Sequence, residues 1–236
     1  MPQRDDLDVT RSIVTIQTQK LRESLPTLQR LALTYAPAET RELLLAFLAL
    51  DARLANIVRS SHEPILAQLR LAWWREQLEC DSDGLGSGDP LLATLHRWPG
   101  PKTELCSLVD GWEKMTGPPP LSADIFIDLA EARGQAFAAL TDSPRQAAIA
   151  LRMGRSWALA DIAIHLSDLR ERDRVLTLVR SQNWGWQRLP RKLRPLAVLH
   201  GLAARTNWQN HDALQKSIAL TPGALLVAIR IGMTGR

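Results

Sequence analysis

Few residues in this chain have both the type and the spacing to do chemistry. Asp161, His165 and Asp168 stand at i, i+4 and i+7, which puts two carboxylates and an imidazole on one face of a helix. Those are ligand types that can hold a metal ion; the competing reading is a solvated or internally hydrogen-bonded helix face. Asp51 falls among apolar neighbours, on the face of Phe47, Leu54 and Val58. A carboxylate buried there must find an arginine or hydrogen-bond donors, so Asp51 reads either as half of a structural ion pair or as a ligand contact. Asp124, Asp128 and Glu131 also share a face, but acids near the start of a helix commonly serve its dipole. The pair Trp73-Trp74 offers either a platform for an apolar chain or core packing, with one ring inward and its neighbour at an edge. Trp184-Gly185-Trp186 is surrounded by Arg180, Arg188, Arg191, Lys192 and Arg194, which suits an interfacial surface as well as it suits a loop buried against its own domain.

Other chemistries find no support. His62, His96, His200 and His211 are isolated, no Ser-His-Asp or Cys-His arrangement can be argued from the sequence, and they are assigned no role. Cys80 and Cys106 lack the CxxC spacing of a zinc or redox motif. The glycine-bearing stretch Asp81 to Asp89 has no following Gly-Lys-Ser/Thr and no preceding strand, so it is a polar loop and not a phosphate cradle.

The elements that position these residues are expected to be helical. The 236 residues are 45% hydrophobic and 23% charged, a globular balance. Leu, Ala and Arg dominate while β-branched and aromatic residues are few, which favours helix over sheet; eight of the twelve aromatics are Trp. Proline punctuation divides the chain into segments near Thr10 to Ser24, a short one to Tyr35, Pro37 to Ser60, Pro64 to Cys80, Pro90 to Arg97, Lys102 to Thr116, Ser122 to Thr141 and Ser143 to Arg172. Arg174 to Gln182, Pro190 to Arg205, His211 to Leu220 and Pro222 to Met233 follow. The segment from Pro37 is apolar on nearly every side over Leu43 to Leu50 and belongs in the centre. Pro64 to Cys80 should pack through Ile65, Leu69, Trp73 and Leu78, with Gln68, Arg75, Glu76 and Glu79 outside. Ser122 is a plausible N-cap. The expectation is a single all-α domain over residues 1–236.

The net charge of +4 hides an asymmetry: residues 151–236 carry 14 basic against 5 acidic side chains. Such a field suits an anionic ligand, an acidic partner or lipid headgroups. Nucleic acid is not an expected partner, since no RNA motif, zinc finger or helix-turn-helix accompanies the charge. The acidic start, Asp5, Asp6 and Asp8, is unlike a secretory signal or presequence, and Leu43 to Leu50 is too short to span a bilayer. The expected compartment is the cytoplasm, with peripheral contact at the inner membrane through the basic C-terminal third.

The stretch Leu45 to Glu79 resembles the squalene/phytoene synthase family. Glu63-Pro64, Leu69-Arg70-Leu71 and Trp73-Trp74-Arg75 carry the resemblance most specifically, and Phe126 to Phe137, Gly154 to Leu169 and Leu189-Pro190 fit more loosely, so that it spans about residues 20–205. It implies an isoprenoid synthase bundle around a central cavity. Active members join two prenyl diphosphates head to head, using two carboxylate clusters that hold Mg²⁺ against the diphosphate. The first, Asp-Asp-x-x-Asp, should follow Ala46-Phe47, where this chain has Ala52-Arg53-Leu54-Ala55-Asn56. All three ligands are missing, and Arg53 puts a positive charge where a dication would sit. The second, counted from Gly154, falls on His165 and Leu169, with Asp161 and Asp168 nearby.

The chain therefore resembles better a divergent branch, which includes the mitochondrial complex I assembly factor related to phytoene synthase and lacks the metal motifs. That branch implies a catalytically degenerate protein acting through an isoprenoid or lipid ligand or a protein partner, without a cofactor. Arg53, Asn56, Trp73 and Trp74 are then the candidate ligand contacts. The alternative is an active prenyl-diphosphate-condensing transferase using Mg²⁺, with Asp51, Asp161, His165 and Asp168 as its working residues.

Overall fold

The computed structural model describes residues 16–61, 63–80, 89–209 and 221–235. Within them the chain is all-α: α1 over 16–23, α2 (Thr27–Leu33), α3 (Ala38–Ser60), α4 (Pro64–Glu79), α5 (Pro90–Leu95), α6 (Lys102–Lys114), α7 (Ala123–Ala139), α8 (Pro144–His165), α9 (Leu169–Arg180), a 3₁₀ turn (Arg191–Leu193), α10 (Arg194–Ala203) and α11 (Pro222–Thr234). The expected loop at Asp81 to Asp89, apart from its last residue, and the expected helix His211 to Leu220 lie outside the described residues, as do His62 and His211.

Proline sets most of the boundaries. Pro64, Pro90, Pro144 and Pro222 each occupy the first turn of a helix, where a missing N–H costs nothing. Asp89, Asp168 and Thr221 cap α5, α9 and α11 through their side chains. Ser122 does stand at the N-cap of α7, but its side chain makes no capping bond.

The core is one contiguous cluster reaching from Leu25 to Ile231. α3 runs through it, with every residue from Leu44 to Asp51 buried. An aromatic column fixes its neighbours: Phe47 meets Phe137 of α7 edge-on at 5.1 Å, and Phe137 meets Trp157 of α8 in the same way at 5.6 Å. α7 and α8 approach closely where glycine faces glycine. A Cβ on Gly134 would lie 2.7 Å from the Leu151 carbonyl oxygen, and one on Gly154 would lie 3.0 Å from the Gly134 Cα. Only hydrogen fits between the two backbones there.

Two expectations are overturned. The segment Ser143 to Arg172 is not one helix. α8 ends at His165, Leu166 turns extended with ψ 133°, and Asp168 opens α9 by accepting hydrogen bonds from the backbone N–H groups of Arg170 (2.8 Å) and Glu171 (3.1 Å). The break lets the buried Glu171 carboxylate accept from the Leu121 N–H at 2.8 Å, while Arg172 folds back onto the Leu166 carbonyl. The face of α4 is also rotated from the expected one. Ala67, Leu71, Trp74 and Leu78 are buried, whereas Ile65, Leu69 and Trp73 are 57%, 61% and 45% exposed. Arg75 accounts for the rotation, since its guanidinium reaches Asp110 and Glu113 of α6 and turns the Trp74 side toward the core.

Candidate functional site

The buried end of the α3, α6, α7 and α8 packing carries charge. Asp51 of α3 is 3% exposed and Arg133 of α7 is also 3% exposed. They pair two-pronged: Arg133 Nε donates to Asp51 Oδ1 at 3.0 Å and Nη2 lies 2.9 Å from Oδ2, a fork geometry that carboxylates match. Trp112 Nε1 of α6 donates to Asp51 Oδ1 at 2.8 Å. The third guanidinium nitrogen, Nη1, donates to Asp161 Oδ2 of α8 at 3.0 Å. Arg133 also sits 5.3 Å from the Trp112 ring and 5.8 Å from the Trp157 ring, within cation–π range. One cation thus bridges two carboxylates between two indoles.

Burial pushes the Asp51 carboxyl above its ordinary range, with Arg133 and the Trp112 N–H pulling the other way. For Arg133, burial favours loss of the charge, but Asp51 and then Asp161 more than offset it, so the guanidinium is held still more firmly protonated. His165 Nδ1 lies 2.8 Å from the Asp161 carbonyl oxygen, which can only accept, so Nδ1 carries hydrogen.

Two cavities open from this cluster. The larger, about 800 Å³, is lined by Asp51, Arg53, Asn56, Trp74, Arg133 and Asp161 among others. The smaller, about 590 Å³, has mostly apolar walls, including Trp157, Ile164, Leu199, Leu202 and Val227. Both volumes fall in the range of ligand pockets, roughly 300–1,000 Å³.

The structure brings Asp51, Asp161 and His165 together, and leaves Asp168 out. Asp168 is an N-cap beyond the end of α8, so the shared face expected for Asp161, His165 and Asp168 does not form. Its carboxyl is held below the ordinary range chiefly by the Glu171 N–H. Arg53 does not stand between the carboxylates; Nη1 pairs with Asp89 Oδ2 at 2.6 Å, and the guanidinium lies 5.6 Å from the Trp74 ring. Asn56 is exposed on the wall of the larger cavity. Trp74 lines that cavity, while Trp73 lines neither and stands against Trp74 edge-on at 5.2 Å. Asp128 accepts from Lys114 Nζ at 2.6 Å, and Glu131 lies 3.5 Å from Arg155, so these two acids serve surface pairs; of the three, Asp124 alone stands in the first turn of α7. Trp184 packs inward, stacked with Trp208 at 6.3 Å, while Trp186 stays 38% exposed.

The Mg²⁺ that the resemblance would imply does not fit these residues. Both Asp51 oxygens and one Asp161 oxygen already accept from Arg133 or Trp112, and a dication would have to displace a cation that is already there. Among the described residues, no group of three or more His, Cys, Asp or Glu side chains converges.

Sequence reading missed Arg133, Trp112 and Gln29, the last buried in the wall of both cavities. A signal for Arg133 was present: it lies on the apolar stripe of Phe126, Leu129, Ala130 and Phe137, and a cation there is the complement a buried Asp51 requires. Trp112 and Gln29 carry no comparable mark. Neither protein-family models, curated proteins nor solved structures give a match to this chain.

Proposed function

We propose that this chain is a squalene/phytoene synthase-like protein of the isoprenoid synthase bundle type that has lost the condensing reaction and works by binding. Its cavities hold an isoprenoid or lipid, in a role of the respiratory-complex assembly kind, on the cytoplasmic side of the inner membrane. The observation that supports this reading is the Arg133 guanidinium held between Asp51 and Asp161. A fixed monovalent cation satisfies both carboxylates, yet it offers no exchangeable position to a diphosphate leaving group, which Mg²⁺ would supply. The chain's own residues then have two jobs: the Asp51–Arg133–Asp161 cluster ties α3, α7 and α8 together, and the apolar walls exclude water from a ligand.

The test is incubation of the purified chain with farnesyl or geranylgeranyl diphosphate and Mg²⁺, with and without reductant, while pyrophosphate is measured. Release at the rate of the protein-free control is expected. Turnover that disappears in Asp161→Ala would instead establish the alternative, an active transferase.

Membrane contact has its own observation. On α11, Leu226 and Met233 are 69% and 67% exposed and Ile229 is 38% exposed, with the exposed Arg230 on their flank. No helix among the described residues is long and apolar enough to cross a membrane, whereas a half-exposed apolar stripe beside basic residues suits lying on an anionic surface. Sedimentation with anionic vesicles over a salt series tests this; binding that weakens with salt is expected, and no binding at low salt would exclude it.

A further inference from the structure

The two cavities share a short stretch of wall made by Pro26, Gln29, Asp161 and His165. Gln29 of α2 is 5% exposed, and its Oε1 receives no hydrogen bond from any described residue. Buried polar atoms are rarely left this way, so an orphaned carboxamide in a cavity wall points to a polar group of a ligand. A carboxamide presents an acceptor at one end and a donor at the other, and turning the amide exchanges the two.

The neighbours say what kind of group it is. Asp161 spends Oδ2 on Arg133, while Oδ1 lies 3.7 Å from His165 Nδ1, beyond a hydrogen bond, and keeps its acceptor capacity. His165 spends its Nδ1–H on the Asp161 carbonyl. The Arg133 charge is already divided between two carboxylates. The junction therefore holds a carboxylate oxygen that lacks a donor, while the guanidinium nearest to it is already engaged. A diphosphate, which only accepts and carries several negative charges, matches it poorly. A hydroxyl both donates and accepts: with the N–H end of the Gln29 amide turned to the cavity, it accepts from Gln29 and donates to Asp161 Oδ1.

Resting on the reading of these cavities as a ligand site, we infer that the junction of Gln29, Asp161 and His165 binds the hydroxyl head of an uncharged long-chain alcohol whose chain lies in the smaller cavity. Trp157, Ile164, Leu199, Leu202, Trp208 and Val227 wall that space of about 590 Å³. Arg205 also lines it and is the counter-charge an anionic head would seek instead, so a charged competitor belongs in the test.

The experiment is a fluorescence titration of the full chain, using the tryptophans in the wall, with geranylgeraniol, 1-hexadecanol, geranylgeranyl diphosphate and a hydrocarbon of similar length. The alcohols are expected to bind about tenfold tighter than the hydrocarbon and than the diphosphate, which corresponds to about 1.4 kcal/mol. Gln29→Leu should remove that advantage and leave hydrocarbon binding unchanged. Gln29→Met, which keeps the side-chain length, replaces it if Gln29→Leu lowers the Tm. Geranylgeraniol ahead of hexadecanol assigns the chain to the prenyl class, and equal binding assigns it to long-chain alcohols generally; both orders support the inference. Tightest binding by the diphosphate, lost in Arg205→Gln, overturns the inference and leaves the cavity reading standing. Alcohols no tighter than the hydrocarbon, with Gln29→Leu silent, do the same. Binding of none of the four overturns the cavity reading and the inference with it.

Discussion

Replacing Arg133 by Met probes the charged cluster most severely. The substitution keeps much of the side-chain volume, removes the cation from a position 3% exposed, and leaves Asp51 with the Trp112 N–H at 2.8 Å as its one remaining partner in the cluster. Breaking a buried pair by deleting one partner costs about 3–5 kcal/mol, because the other charge stays behind in a poor solvent. Loss of the two indole contacts adds to that, about 0.5 kcal/mol or more each. A destabilisation of about 4 kcal/mol at pH 7.5 is expected, a large share of the roughly 5–15 kcal/mol that holds a protein folded. The loss should shrink in acid. Burial already pushes the Asp51 carboxyl up, and without Arg133 nothing of comparable strength opposes it. The folded variant then binds a proton that the unfolded chain has released above about pH 3.8, so its stability falls as pH rises. Urea unfolding at pH 5 and pH 7.5, followed by circular dichroism, measures both effects. Adding Asp51→Leu to Arg133→Met should recover part of the loss at pH 7.5 by removing the stranded charge. A cost below about 1 kcal/mol at pH 7.5, with no dependence on pH, would show that Arg133 and Asp51 are not a buried, strongly coupled pair, since that is how an exposed and weakly coupled pair behaves.

Three further outcomes follow from other parts of the molecule. His200 is fully enclosed on α10 and burial, aided by Arg152, lowers its pKa from 6.5 to about 4; the unfolded chain takes up the proton first, so about 3 kcal/mol of stability present above pH 6.5 is lost between pH 6.5 and pH 4. Unfolding of His200→Gln over that window should show a flatter dependence, and an identical slope would remove His200 as the cause. Gly134→Ala drives a methyl to within 2.7 Å of the Leu151 carbonyl oxygen and should cost about 1–3 kcal/mol by forcing α7 from α8, read as a lowered urea midpoint; an unchanged or raised midpoint would show that the helices have room. Leu226→Asp with Met233→Asp places two charges on the exposed stripe of α11, and should weaken vesicle binding about tenfold or more without a change in Tm, since neither residue is buried; unchanged vesicle binding would rule the stripe out.

The helices were largely legible because proline and apolar periodicity are local signals. Ala38–Ser60 is found within a residue of its expected start, and Pro64 and Pro222 open helices where a proline should. What failed depended on contacts made at long range. The break after His165 depends on Asp168 capping a new helix and on Glu171 reaching Leu121, fifty residues away. The rotation of α4 depends on Arg75 meeting Asp110 and Glu113; hydropathy alone favoured the stripe through Ile65 and Leu69, which is left exposed. At the site, a buried Asp51 in need of an arginine could be read directly, because a carboxylate among Phe47, Leu54 and Val58 has few alternatives. Which arginine it takes could not, with 24 to choose from. Arg53 was the nearer in sequence, but it lies toward Asp89, and the partner comes from α7.

The proposed binding role rests on the Arg133 guanidinium occupying Asp51 and Asp161, the carboxylates that the alternative transferase would use for divalent cations. The most direct measurement is a Mn²⁺ titration of the full chain, in the presence and absence of geranylgeranyl diphosphate, followed by electron paramagnetic resonance. No stoichiometric protein-bound Mn²⁺ is expected beyond what the diphosphate itself holds in solution, with the same signal from Asp51→Asn and Asp161→Asn. A stoichiometric bound signal in the unaltered chain that disappears in either variant would contradict it.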